Sequence, residues 1–220
     1  MPVPPEPTLP ARPVVVLLCG PSGAGKSRLA GRLHDRHGWP VVALDNFYRD
    51  IDDPGLPRHP TLGIADWDDP ASWDAEGAAA AIGELAASGR AGIPVYDIAT
   101  SRRVGSTDVT ARPTDLLVAE GIFAAELTGR LRREGLLHSA WCVRDNRVLT
   151  MARRFRRDLA EGRKPPLVLA RRGWALMRAE PGIVARAEAL GARAITQRAL
   201  AAALEPAAPP GRRPAGSVTA

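Results

Sequence analysis

The stretch of sequence that decides the fold is Val14-Val-Val-Leu-Leu-Cys19 followed by Gly20-Pro-Ser-Gly-Ala-Gly25-Lys26-Ser27, near the start of a chain of 220 residues. The first part is an apolar, β-branched run, which is typical of a buried strand. The second part matches the pattern G-x-x-x-x-G-K-[ST], whose glycines let the backbone turn tightly and aim successive N–H groups at phosphate oxygens. A helix predicted from Lys26 to His37 adds the positive end of its dipole. The stretch therefore predicts a strand, a phosphate-binding loop and a helix.

The loop also supplies side chains for nucleotide chemistry. Lys26 is expected to reach the β- and γ-phosphates of a nucleotide, and the Ser27 hydroxyl to ligate Mg²⁺. The residues expected to bind the nucleotide here are Gly20, Ser22, Gly23, Ala24, Gly25, Lys26, Ser27 and Arg28.

Strand and helix signals alternate along the rest of the chain. Further strands are predicted over 41–44, 116–119 and 140–143, and helices over 74–87, 123–133, 146–161 and 188–204. Strands separated by helices imply right-handed crossovers and a parallel sheet with helices on both faces. The predicted fold class is therefore α/β, with the P-loop NTPase fold. Asp45 to Trp73 shows no regular period and is predicted to be a long functional loop.

The composition restricts the class of protein. Apolar residues make up 45% and charged residues 25% of the chain, which excludes a disordered protein. Val14–Cys19, the longest apolar run, is too short to span a bilayer. Cys19 and Cys142, the only cysteines, lie in apolar runs and indicate reduced core residues of a cytoplasmic protein. Residues 1–13 and 206–220 are rich in Pro, Ala and Gly, so we expect disordered tails around one domain over 14–205.

The cationic residues are unevenly divided, because 28 of the 30 are Arg and only Lys26 and Lys164 are Lys. A GC-rich coding bias would explain most of this preference. The net charge of +6 would suit anionic partners, including nucleic acid. However, the sequence lacks the basic platform with interleaved aromatic residues that nucleic-acid binding favours. We therefore expect a small-molecule substrate, no nucleic acid and no membrane, while an oligomer stays open.

Two carboxylates follow predicted strands. Asp45 comes directly after strand 41–44, and Glu120 comes directly after strand 116–119. Since the carboxyl ends of parallel strands share one edge of a sheet, both should face the phosphate loop. Either could ligate Mg²⁺ or accept the proton of an attacking hydroxyl, and each could instead be an ordinary turn or strand-end residue.

An arginine-rich helix follows the last of these strands. Six Arg lie between Arg147 and Arg163. We expect a lid over about 147–165, in which Arg153, Arg154 and Arg157 neutralise the charge of a transferring phosphoryl group. The alternative is a solvated basic face.

Five later motifs follow the phosphate loop in a fixed order. They are Asp45-Asn-Phe-Tyr-Arg49, Trp67-Asp-Asp-Pro-Ala-Ser-Trp-Asp74, Pro94-Val-Tyr-Asp97, Glu120-Gly-Ile122 and Arg153-Arg-Phe-Arg-Arg-Asp158. As an ordered set, the chain resembles the uridine kinase and phosphoribulokinase family of P-loop kinases, from about Val14 to Arg163. The segment over about 45–110 would then form a substrate lobe.

The resemblance implies ATP and Mg²⁺ as cofactors and transfer of the γ-phosphate to a hydroxyl of a nucleoside, or of a related sugar or alcohol. It implies catalytic roles for Asp45 as the base, Lys26 and Arg157, with Ser27 and Glu120 around the metal. The nucleotide would also meet Arg153 and Arg154. The residues assigned to the substrate are Asp45, Tyr48, Asp68, Tyr96, Arg103, Arg154 and Arg157.

One departure from the family pattern concerns the acceptor. Ser101 stands where the pyrimidine-reading His of uridine kinases is expected, and Arg102 and Arg103 follow it. Loss of a hydrogen-bonding reader alters base discrimination, so the kinase chemistry is predicted and uridine is not. The two arginines suggest an acceptor that carries a phosphate or a carboxylate. The competing hypothesis is a P-loop ATPase with a regulatory or nucleic-acid-linked role and no small-molecule acceptor.

Overall fold

A five-stranded parallel sheet forms the centre of the fold. Its strands lie in the order β2 (Val41–Ala43), β5 (Leu116–Glu120), β1 (Val14–Cys19), β6 (Leu137–Arg144) and β7 (Arg193–Thr196). The computed structural model describes residues 12–60, 63–144 and 180–204. β1 is the middle strand, so the phosphate loop leaves the sheet at its centre, and β5 separates β1 from β2.

Five helices lie in the described residues, and α1 has the bounds that the sequence predicts. They are α1 (Lys26–His37), α2 (Ala75–Ser88), α3 (Thr128–Arg133), α4 (residues 180–189) and α5 (Gln197–Leu204). Gly38 and Gly89 end α1 and α2 in the left-handed conformation, with φ of 67° and 74°. The Asp74 carboxylate caps α2 by accepting a hydrogen bond from the N–H of Gly77.

Both faces of the sheet are covered, which confirms the predicted α/β fold. Val15, Leu17 and Cys19 pack on one face with residues of α2, α3 and α4. Val16 and Leu18 point to the other face and pack with residues of α1 and α5. Cys19 and Cys142 are free and buried, as predicted. Among the described residues, no helix is long and apolar enough to cross a membrane.

The predicted substrate-lobe segment contains an antiparallel hairpin that the sequence did not indicate. Its strands are β3 (Arg90–Asp97) and β4 (Arg102–Thr110). Almost every residue of β4 is exposed, so it carries little of the apolar alternation by which strands are recognised. The turn between the strands contains Ser101, whose φ is 52°.

The predicted helix over 188–204 is wrong, because β7 interrupts it. Arg193–Thr196 adds to the edge of the sheet by parallel pairing with β6, and Ile195 and Thr196 are β-branched residues that favour a strand. Other boundaries also differ, and β6 begins at Leu137 rather than at residue 140. The predicted helix over 123–133 is a 3₁₀ turn (Ala124–Leu127) followed by α3, and Leu44 belongs to a 3₁₀ turn rather than to β2. The predicted lid lies outside the described residues.

Candidate functional site

The phosphate loop follows β1 and depends on glycine at three positions. Gly20, Gly23 and Gly25 have φ of 128°, 82° and 85°, a region that L side chains rarely adopt. A Cβ on Gly20 would collide with the carbonyl oxygen of Val143, and one on Gly25 would collide with the side chain of Gln197. The loop therefore passes close to two neighbouring elements with no space for side chains.

Lys26 lies beneath this loop rather than on its surface. Its side chain is buried, and Nζ donates to the carbonyl oxygens of Gly20 (3.0 Å) and Pro21 (3.3 Å). The ammonium group thus holds the two ends of the loop together and places a positive charge where the backbone N–H groups converge.

Gln197, at the start of α5, supports the loop from outside. Its Nε2 donates to the carbonyl oxygen of Ala24 (2.7 Å), and its Oε1 accepts from Nη2 of Arg32 (3.0 Å). Sequence reasoning missed this contact. No local sequence pattern predicts this contact, because it forms only when β7 joins the sheet and places α5 beside the loop.

Glu120 ends β5 next to the phosphate loop, near the Ser27 side chain. Burial raises the pKa of the Glu120 carboxyl, with Lys26 and Ser27 opposing the rise and Asp45 adding to it. Its Oε2 is buried without a hydrogen-bond partner among the described residues. A buried, unpartnered carboxylate oxygen beside a hydroxyl fits an oxygen-preferring cation such as Mg²⁺.

Phosphate oxygens would have to complete such a metal site. Within residues 12–60, 63–144 and 180–204, no group of three His, Cys, Asp or Glu side chains could hold a metal ion. The residues that fit Mg²⁺ are therefore Ser27 and Glu120 together with a bound nucleotide, as predicted for P-loop proteins.

Glu120→Gln should raise the free energy of unfolding at neutral pH. Because the pKa of Glu120 is raised in the folded state, its ionisation destabilises the fold above that pKa and costs nothing below the ordinary value of a glutamate. The gain should therefore shrink as the pH falls through this interval. Urea titrations of both proteins between about pH 4 and 8 measure it; an advantage that is constant with pH would contradict the assignment.

Asp45 lies beside Glu120 at the same edge of the sheet. Ala43 of β2 pairs with Glu120, and Asp45 follows two residues later in a 3₁₀ turn. The Asp45 carboxylate is exposed, and its Oδ1 accepts a hydrogen bond from the N–H of Ile122 (3.1 Å). The structure thus brings together both carboxylates that were predicted from strand ends, and a backbone N–H orients one of them.

Gly121→Ala should displace Asp45. An added Cβ would lie 2.9 Å from Asp45 Oδ1 and 2.9 Å from Leu44 Cβ, which is closer than van der Waals contact allows. We expect the predicted phosphotransfer to fall about 10- to 100-fold, since small displacements of a group in the predicted catalytic role are costly. Steady-state kinetics measure this loss. Gly31→Ala is the control, because a Cβ on Gly31 meets nothing within 4 Å.

A cluster of aromatic rings lies next to Asp45. The ring of Tyr48 is 5.8 Å from that of Trp67, 5.9 Å from that of Tyr96 and 6.0 Å from that of Phe123. Burial raises the pKa of the Tyr48 hydroxyl, and the charges of Asp45 and Asp68 raise it further. The structure therefore gathers the predicted substrate residues Asp45, Tyr48, Asp68 and Tyr96 in one region.

Arg103, another predicted substrate residue, is occupied by protein contacts. Its guanidinium donates to the carbonyl oxygens of Phe47 and Tyr48 (3.3 Å each) and to the carboxylate of Asp74 (3.1 Å). Arg102 forms an ion pair with Asp52. Arg103 thus joins the hairpin to the loop that carries Tyr48. The predicted lid residues Arg153, Arg154 and Arg157 lie outside the described residues.

Comparison with known families supports the phosphate loop. Residues 15–95 match a family model described as an AAA domain, and this match includes β1, the loop, α1 and Asp45. No curated protein sequence matches the chain at a significant level.

Three solved structures share the fold. A candidate fructose transport system kinase from Silicibacter sp. TM1040 is 23% identical, covers 82% of this chain and 88% of its own, and has a TM-score of 0.57. The YGR205w protein is 14% identical over 84% and 86% of the two chains, with a TM-score of 0.52. D-glycerate 3-kinase from Cryptococcus neoformans var. grubii is 14% identical over 82% and 81%, with a TM-score of 0.51.

These similarities concern the fold. Together with the sheet order and the loop geometry, they show that the chain has the α/β fold of the P-loop kinases. The predicted resemblance is confirmed at that level.

Proposed function

We propose that the chain is an ATP-dependent, uridine kinase-like phosphotransferase that moves the γ-phosphate of ATP to a hydroxyl of a small molecule. The observation that carries this proposal is the position of Asp45, an exposed carboxylate between the phosphate loop and a ring-lined region. The aromatic rings beside Asp45 offer a surface for a second substrate, which a P-loop protein that only hydrolyses ATP does not need.

The site residues that the structure describes have distinct roles in this proposal. The backbone N–H groups of the loop, with Lys26 beneath them, bind and orient the phosphates. Ser27 and Glu120 would hold Mg²⁺, which when bound withdraws charge from the phosphate oxygens. Asp45 accepts the proton of the acceptor hydroxyl as the hydroxyl oxygen attacks the γ-phosphorus. The bond from that phosphorus to the β-phosphate oxygen breaks and ADP leaves, while the N–H of Ile122 keeps the Asp45 carboxylate in position.

The described residues favour an uncharged acceptor rich in hydroxyl groups, such as a nucleoside or a sugar. Carboxylates such as Asp45 and Asp68 accept hydrogen bonds from hydroxyls, and the half-buried rings of Tyr48 and Tyr96 can pack against an apolar ring face. Arg102 and Arg103, which had suggested an anionic acceptor, are engaged with Asp52 and Asp74.

An assay of ATP consumption against a panel of acceptors tests the proposal. The panel contains nucleosides, unphosphorylated sugars, ribose phosphates and pantothenate-like alcohols. We expect phosphate transfer to at least one uncharged hydroxyl compound, with a product that mass spectrometry identifies. Slow hydrolysis at the same rate with every member of the panel would contradict it and favour the regulatory ATPase.

A further inference from the structure

The indole ring of Trp73 is buried against the turn that carries Asp45. Trp73 is 3% exposed, and its Nε1 donates a hydrogen bond to the carbonyl oxygen of Leu44 (2.6 Å). Leu44 precedes Asp45 and begins the 3₁₀ turn Leu44–Phe47. The proposed reaction gives Trp73 no role, although its side chain is bonded to the residue next to the proposed base.

Backbone hydrogen bonds fix Trp73 beside this turn. Tyr48 and Trp73 form an isolated antiparallel bridge. Two backbone hydrogen bonds of 2.9 Å each flank the bridge and join residues 47–49 to residues 72–74. The indole N–H therefore reaches the turn from a fixed position.

Asp45 is held from two sides. The N–H of Ile122 donates to its carboxylate at 3.1 Å, and Trp73 holds the peptide group that leads into it. Phe123, the residue after Ile122, packs with Trp73, since the centres of their rings are 6.1 Å apart. The two contacts thus belong to one packed unit around the proposed base.

The Leu44 carbonyl and the main chain of Asp45 move together. A peptide group is planar, so this carbonyl lies in one plane with the N and Cα atoms of Asp45. Leu44 is fully buried, which prevents water from replacing the indole as a partner of the carbonyl. Without the indole N–H, no side chain fixes this peptide plane, and any rotation of the plane moves the Asp45 carboxylate.

We propose that Trp73 is a positioning residue for Asp45. Its indole N–H fixes the peptide plane between Leu44 and Asp45, and with it the direction in which the carboxylate points toward the acceptor hydroxyl. The effect on catalysis rests on the proposed phosphotransfer, in which Asp45 is the base. Trp73 acts through Asp45 and not by contact with the acceptor, because Trp73 itself is buried.

Trp73→Phe tests this role, since phenylalanine keeps an apolar ring at the position and lacks the N–H. With an acceptor from the panel, we expect kcat to fall about 10-fold and the KM for ATP to stay within about twofold, because the phosphate loop is untouched. Steady-state kinetics measure both values.

Trp39→Phe is the matched control for the loss of a buried indole. Trp39 is fully buried, packs on the other face of the sheet, and its indole N–H has no hydrogen-bond partner among the described residues. Its kcat should stay within about twofold of that of the unmodified chain. An equal loss in both variants would overturn the inference, because loss of packing would then explain the effect.

The double variant Trp73→Phe/Asp45→Asn shows whether Trp73 acts through Asp45. Two residues that act through the same group have effects that do not multiply. The double variant should therefore be no more than about twofold slower than Asp45→Asn alone. A further loss of about 10-fold would overturn the inference, because Trp73 would then act independently of Asp45.

Hydrogen exchange of the Ile122 amide gives a readout that requires no activity. Its N–H is bonded to the Asp45 carboxylate, so displacement of Asp45 should open this amide to exchange. We expect its exchange, measured by NMR, to be about 10-fold faster in Trp73→Phe and unchanged in Trp39→Phe. The same exchange rate in Trp73→Phe as in the unmodified chain would overturn the inference.

The exchange measurement also separates this inference from the proposed function. If no acceptor is phosphorylated, the proposed phosphotransfer fails, while faster exchange in Trp73→Phe still shows that Trp73 positions Asp45. Thermal unfolding checks that each variant is folded. If Trp73→Phe does not fold, β-(3-benzothienyl)alanine at position 73 takes its place with the same expected outcomes, because it keeps the shape of indole and has sulfur instead of the N–H.

Discussion

Asp45→Asn should lower the turnover number of phosphotransfer about 10³-fold while leaving ATP binding measurable. The amide cannot accept the proton of the acceptor hydroxyl, so the chemical step loses its base. The change is nearly isosteric, and the Asn side-chain oxygen can still accept the hydrogen bond that Asp45 Oδ1 receives from the N–H of Ile122. The loss should therefore appear in kcat, with little effect on the phosphate loop.

Two measurements distinguish loss of the proposed base from a general loss of structure in Asp45→Asn. Asp35→Asn makes the same change at an exposed carboxylate of α1 and should retain full activity. Binding of a fluorescent ATP analogue should be similar in both variants. Turnover by Asp45→Asn within about tenfold of the unmodified chain would contradict the proposed role of Asp45 as the base.

The part of the site that the sequence predicts most accurately is the part built by neighbours in the chain. The run Val14–Ser27 specifies a strand, a loop and a helix start within 14 residues, and the structure has β1 and α1 at the predicted positions. The sequence also predicts correctly that Asp45 and Glu120 lie at one edge of the sheet, although they belong to segments that are distant in the chain. Their placement follows from the rule that parallel strands end at a common edge, and the pairing of Ala43 with Glu120 satisfies it.

Contacts between distant segments account for what the sequence could not predict. The strand β4 has a largely exposed surface, so its partner β3, and not an apolar pattern, determines its structure. The segment Arg193–Thr196 becomes β7 because the edge of β6 is available to it. Gln197 meets the loop for the same reason. In each case tertiary pairing outweighs local propensity, which a single sequence does not reveal.

The pairing of Arg103 with Asp74 shows that side-chain contacts between distant segments are equally hard to predict from the sequence. Two adjacent arginines in a predicted substrate segment suggest an anionic acceptor, since guanidinium groups pair with phosphates and carboxylates. In the folded chain Arg102 pairs with Asp52, 50 residues earlier in the sequence, and Arg103 pairs with Asp74, 29 residues earlier. The residue type predicts that an arginine will pair with an anionic group. Which anionic group it pairs with depends on the tertiary fold.

Lys26→Arg should lower kcat/KM for ATP at least about 100-fold, although it preserves the charge. In a chain with 28 Arg and two Lys, lysine stands at the position where a compact ammonium is enclosed by the loop. Its Nζ donates to two carbonyl oxygens from a side chain that is only 6% exposed. A planar guanidinium is larger and presents its donors in a rigid fork, so it should force the loop open.

Comparing Lys26→Arg with Lys26→Ala separates the effect of the size and shape of the side chain at position 26 from the effect of its charge. If the space under the loop decides the outcome, Lys26→Arg should be nearly as impaired as Lys26→Ala, and its loop should be cleaved faster by protease. If positive charge alone decides it, Lys26→Arg should keep activity within about tenfold of the unmodified chain, and our account of the loop would be wrong. The folded state of both variants can be checked by thermal unfolding, because β1 and α1 pack through apolar residues that neither change touches.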